Sequence, residues 1–303
     1  MYPSEYDAFG PWIYEITEAH PLPALFEPHV PSGETPLMLF KIPRDIERRR
    51  ATPDMDLYDY VVGAYEDRLL ILKRVEHTVE TTTVSYAEIE GLRLFRHFLR
   101  GDLTLYLRSG EVLLPFNAVS MDIVTRFAVL IRGRYQTGEA PALPELRPWE
   151  QAPADLDVLF VNLLRELRQT EPEARVYAYQ SMTAPETKGG SFLRSLARRT
   201  RPQALPATLH LLNWKELIVI QREVPEKKSQ ENEYSYHFTY LPRSGIRKVR
   251  LEESAQDCGI LDCTVELSHH VIPLRFRREN REAAAFYQRL SDAARWASGG
   301  SRM

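Results

Sequence analysis

Two stretches of this 303-residue chain carry one pattern of residues. A duplicated pattern constrains the fold strongly, because each copy must bury its own apolar face. Gly101 precedes Pro115 by fourteen positions, and Gly259 precedes Pro273 by the same interval. Between these markers Leu103, Leu105 and Leu107 fall on Leu261, Cys263 and Val265, and Leu114 and Phe116 fall on Ile272 and Leu274. Upstream, Tyr86 and Ile89 correspond to Tyr240 and Ile246 with a three-residue insertion.

Within each copy the apolar period is first two and then 3.6. In the first copy, runs such as Leu69 to Leu72, Thr81 to Tyr86 and Ile89 to Phe95 are rich in β-branched and aromatic residues. Turn residues at Gly63, Gly91, Gly101 and Ser109-Gly110 separate them, which predicts an antiparallel meander. Ile123, Phe127, Leu130 and Ile131 then lie on one helical face that ends near Gly133. The second copy repeats the order from Leu205, and Ala283, Phe286, Tyr287, Leu290 and Ala294 give its buried helical stripe over about 279–297.

The expected organisation is therefore α+β. Residues 1–54 are a proline-rich arm in which long helices cannot form, yet Trp12, Phe26 and Phe40 suit it to packing on the first domain. Residues 55–136 are the first domain, 137–204 a linker, and 205–298 the second domain. The linker carries a helix over 155–168, where Leu156, Leu159, Phe160, Leu163, Leu164 and Leu167 form a stripe that Pro172 stops. The length suits about two domains, since single cores stop growing near roughly 250–300 residues.

This order of six or seven strands closed by one helix resembles the pleckstrin-homology-like (PH-like) domain, most of all the bacterial PH-like modules. The resemblance covers about 57–135 and 205–297. It implies two antiparallel β-barrels, each closed by a C-terminal helix, and binding in place of catalysis. PH domains that grip phosphoinositides usually carry a basic first loop. Here those loops are Tyr65-Glu66-Asp67-Arg68 and Asn213-Trp214-Lys215-Glu216, which argues against headgroup binding.

No phosphate-binding glycine loop, nucleophile elbow or H-E-x-x-H helix occurs, and no catalytic, metal or cofactor residues are expected. His269 and His270 are neighbours on a strand, so they point to opposite faces and cannot readily share a metal. Cys258 and Cys263 are too few for a disulfide scaffold and wrongly spaced for zinc. A net charge of -3 makes nucleic acid an unlikely partner.

What remains is a candidate contact surface. Lys188, Arg194, Arg198, Arg199 and Arg201, with Phe192 interleaved, would make a cationic amphipathic segment over 188–201. Trp214 stands at an expected hairpin tip. The leading expectation is a non-enzymatic adaptor that recognises a protein or peptide partner, for which the groove between a helix and an open sheet edge is suited. The alternative is peripheral association with an anionic membrane through 188–201. With no apolar run near the roughly 20 residues that span a bilayer and no signal peptide at the start, the expected location is the cytoplasm, with the inner membrane face as the second option.

Overall fold

A computed structural model describes residues 5–135, 147–150, 152–153, 156–183, 204–224, 235–255 and 257–299. The fold is α+β, with mostly antiparallel sheets and few helices. The chain divides into two compact units. The first comprises Met1–Ile89, Arg96–Leu105 and Glu111–Gln136, and the second comprises Glu90–Phe95, Tyr106–Gly110 and Thr137–Met303.

In the first unit a short helix, α1 (Glu5–Ala8), precedes a meander of β1 (Tyr14–Glu15), β2 (Met38–Pro43), β3 (Tyr58–Ala64), β4 (Arg68–Val75) and β5 (Thr78–Ser85). The register pairs Phe40 with Val62 and Val62 with Ile71, stacking β-branched and aromatic residues on one face. Phe9 and Phe26 come from the proline-rich arm into a core with Leu57, Tyr58, Val61, Leu70 and Leu72. Strands β6 (Ile89–His97), β7 (Arg100–Leu107) and β8 (Gly110–Asn117) follow, linked by two-residue turns, and then helix α2 (Met121–Arg132). Val124, Phe127, Ala128 and Ile131 form the buried face of α2, and the Phe127 ring packs edge-on against Phe40 with 5.0 Å between centroids.

In the second unit, helix α3 (Val158–Thr170) starts three residues later than the sequence suggests, because Asp157 is the residue that caps it. Its carboxylate accepts from the Leu159 N–H at 2.9 Å. The stripe of Phe160, Leu163, Leu164 and Leu167 is buried, each side chain contributing about 1.5–3 kcal/mol. Strands β9 (Arg175–Gln180), β10 (Thr208–Leu212), β11 (Glu216–Arg222) and β12 (Tyr236–Pro242) form a second meander, and the 90–95 stretch of β6 lies outside β12. Every residue of β10 and of β12 is buried. A separate sheet of β13 (Lys248–Glu253), β14 (Ile260–Glu266) and β15 (Val271–Arg277) precedes helix α4 (Arg281–Gly299). Phe286, Tyr287 and Leu290 of α4 fill the core with Val219, Cys263 and Phe276.

After the two-residue β1 of the first half, both halves run four strands, a three-residue 3-10 turn, three strands and a helix. The turns are Tyr86–Glu88 and Arg243–Gly245, and each is followed directly by an isoleucine, Ile89 or Ile246. The three-residue insertion drops out once the turns are aligned. The matched positions Leu103, Leu105 and Leu107, and Cys263 and Val265, are buried.

Neither half closes into a barrel among the described residues, contrary to the expectation. In the second unit the reason is visible. Pro273 removes an outward N–H from β15, and the Gln180 side chain of β9 stands where a ladder would run. It accepts from the Arg277 N–H at 2.7 Å and donates to the Arg275 carbonyl at 3.2 Å. One side-chain amide bridges the seam in place of a backbone ladder.

Candidate binding surface

In the first unit the corresponding seam is open. The end of β2, at Ile42 and Pro43, and the end of β8, at Pro115 and Phe116, line one groove of about 200 Å³. Prolines on both facing strands leave few N–H groups for a ladder between them. Gly101 makes the floor possible, since a Cβ there would stand 2.5 Å from the Phe116 ring. Tyr60 lines the same groove, and burial together with the carboxylates of Asp59 and Glu80 holds its hydroxyl above the ordinary value, leaving it a neutral donor. The Asp59 charge is countered by Arg74, whose Nε lies 3.1 Å away.

The groove lining is mixed: Leu99, Ile42 and Ile46 stand beside the charged Arg44, Asp45 and Arg100. Phe98 and Leu99 form the turn between β6 and β7, and they are 45% and 61% exposed. Two-residue turns favour glycine, asparagine and aspartate. Phe98 nevertheless adopts φ 45°, a left-handed conformation that a bulky side chain rarely takes. The Leu99 carbonyl accepts from the Ala118 N–H at 2.8 Å, which sets Leu99 beside Val119, itself 57% exposed. The Ile13 N–H donates to Ser120 Oγ at 2.9 Å, and Pro11, two residues before, lines the groove. The sequence signal for this surface, two large apolar residues where a turn should be, is plain in hindsight.

Of the residues singled out from sequence, Lys188, Phe192, Arg194, Arg198, Arg199 and Arg201 lie outside the described residues. Trp214 is described, at the tip of the β10–β11 hairpin and 64% exposed. Asn213 holds this tip by accepting from the Lys215 and Glu216 N–H groups at 2.9 and 2.6 Å. Its amide donates to Glu171 at 3.0 Å, and the Arg243 guanidinium donates to the Trp214 carbonyl at 3.1 Å. The Lys215 ammonium stands 5.8 Å from the Trp214 ring centroid.

In the second unit the edge strand beside the helix has one outward backbone group bonded by the helix. Val249 of β13 turns its carbonyl outward, and Ser291 of α4 donates to it at 2.9 Å. His269 and His270 lie in the turn between β14 and β15 and not on a strand as expected: His269 meets Glu90, and His270 Nε2 lies 2.7 Å from the Leu107 carbonyl. Among the described residues no group of three or more histidine, cysteine or acidic side chains is placed to hold a metal ion, and no helix is long and apolar enough to cross a membrane.

Comparison with known proteins finds no family model that matches the chain and no curated protein similar to it in sequence.

Proposed function

We propose that this chain is a non-enzymatic binding protein built from two PH-like copies, and that its first unit takes an extended apolar segment of a partner protein in the β2–β8 groove. The observation that carries the reading is the Phe98–Leu99 turn, where a strained backbone at Phe98 presents two exposed hydrophobes, Leu99 of which lines the groove. Local strain of this kind costs about 1–3 kcal/mol and clusters at functional sites. Contiguous exposed apolar residues beside a cavity are a usual mark of recognition surfaces. The PH-like assignment is supported by the strand, turn and helix order present twice.

Selection of peptides from a displayed library tests the proposal. Apolar extended sequences should be enriched, and Phe98→Asp with Leu99→Asp should weaken them by at least about ten-fold, or 1.4 kcal/mol. Enrichment of no peptide, or binding indifferent to both substitutions, would falsify it.

The exposed Trp214 beside Lys215 favours a second reading, an anionic membrane contact made by this tip with the 188–201 segment. It predicts pelleting with phosphatidylserine vesicles that high salt abolishes. Pelleting that survives Trp214→Ala together with Arg194, Arg198 and Arg199→Glu rules it out.

A further inference from the structure

Sheet edges present unpaired N–H and C=O groups, and proteins protect them. Most edge strands here carry a visible device. β1 is two residues long. β8 carries Pro115, and β15 carries Pro273 and the Gln180 bridge. The Val176 carbonyl of β9 accepts from the Trp149 N–H at 2.8 Å, and β13 is bonded by Ser291. β5 is different. It is eight residues long, Thr78–Ser85, with no proline and Glu80 as its one charge. Among the described residues β4 is the sole strand that pairs with it.

The direction of its free groups follows from the register. The Tyr65 N–H donates to the Arg68 carbonyl at 2.8 Å, so Arg68, Leu70 and Leu72 turn their backbones to β3. Leu69, Ile71, Lys73 and Val75 therefore face β5, where Val84, Thr82, Glu80 and Thr78 receive them. Val79, Thr81, Thr83 and Ser85 face outward. The Ser85 N–H is already bonded to Glu88 at 3.0 Å, which leaves Val79, Thr81 and Thr83 with both groups open among the described residues.

The other half of the chain shows what this position accepts. β5 is the last strand of its meander, as β12 is of the second, and the outer side of β12 carries an added strand, β6.

We infer that the outer edge of β5 pairs antiparallel with β5 of a second copy, about a twofold axis at Thr81. In that register Val79 faces Thr83 of the other copy and Thr81 faces its equivalent. Each outward N–H of Val79, Thr81 and Thr83 meets an outward carbonyl. Glu80 falls opposite Thr82, so no carboxylate faces a carboxylate, and Lys73 lies across from Glu80 on β4. The twofold makes the contact self-limiting, because one pairing consumes both edges.

Sedimentation of the full chain over a range of concentrations tests this. A dimer should appear, and Thr81→Lys with Thr83→Lys should raise its dissociation constant at least about ten-fold while circular dichroism is unchanged. In a Cys258→Ser background, Thr81→Cys should give a disulfide-linked dimer under mild oxidation, since the paired Cα atoms would stand about 5.5 Å apart. A monomer at every concentration overturns the inference. So does a dimer that tolerates both lysines and leaves Cys258→Ser/Thr81→Cys unlinked, which would place the contact elsewhere.

Discussion

His210 lies wholly within the second core, with Nδ1 2.7 Å from the Tyr287 hydroxyl. Burial pushes its pKa from the ordinary 6.5 down to about 3. Between those values the unfolded chain binds a proton that the folded chain does not, so stability falls as pH falls from 6.5 toward 3. The slope approaches about 1.4 kcal/mol per pH unit. His210→Asn keeps a polar group near Nδ1 and cannot titrate, so its urea midpoint should decline less steeply over this window. Parallel acid limbs for the two proteins would refute the assignment. The repeat's matched glycines also part company at this scale. Gly101 is required by the Phe116 ring, whereas Gly259 has open space around its Cβ position and needs its φ of +75° for a turn. Sequence spacing made them equivalent, and only the backbone and its neighbours separate the two reasons.

At the level of elements, α3 depends on a single cap. Asp157 accepts from the Leu159 N–H and also pairs with Arg222 of β11. Asp157→Ala should cost about 1–2 kcal/mol, read as a fall in thermal midpoint, and Asp157→Asn should recover the capping share of that loss. If Asn is no better than Ala, the Arg222 pairing and not the cap is the main contribution. The apolar stripe of α3 was readable from leucine spacing. Its first residue was not, since Pro153, Asp155 and Asp157 all suit a helix start and only backbone geometry selects among them. The same limit applied to α2, where the turn ahead of the helix rotates Val124 inward and leaves Ile123 half-buried.

Across the whole molecule, the second unit is assembled from both halves of the sequence. It includes 90–95 and 106–110 of the first half. Gly91 lets β6 approach β12 closely, since a Cβ there would stand 2.9 Å from the Tyr240 carbonyl. Beside it the buried Glu90 accepts from both the N–H and Nδ1 of His269 at 3.0 Å. Burial alone would raise the Glu90 pKa, but these hydrogen bonds and the charge of His269 outweigh it and hold the carboxyl below the ordinary 4.5. Its contribution is therefore present above pH 4.5 and lost as pH falls through the lower folded value. Glu90→Gln should cost roughly 1–3 kcal/mol at pH 7, with the gap to wild type closing at strongly acid pH in urea titrations. An equal gap at both pH values would show that the charge is not the cause.

Periodicity and spacing alone were enough to establish an α+β chain of two matching halves, because alternation and the 3.6-residue stripe are local consequences of burial. They also placed Trp214 at a hairpin tip. The tertiary structure decided how those halves are used. It determined that neither half closes into a barrel among the described residues, that one seam is bridged by Gln180 while the other is a groove, and that 90–95 pairs beside β12. It also decided that Phe98 and Leu99 are exposed on a strained turn. Such outcomes rest on which edges meet and which backbone groups face outward, and those depend on residues far apart in the chain. No local pattern encodes them.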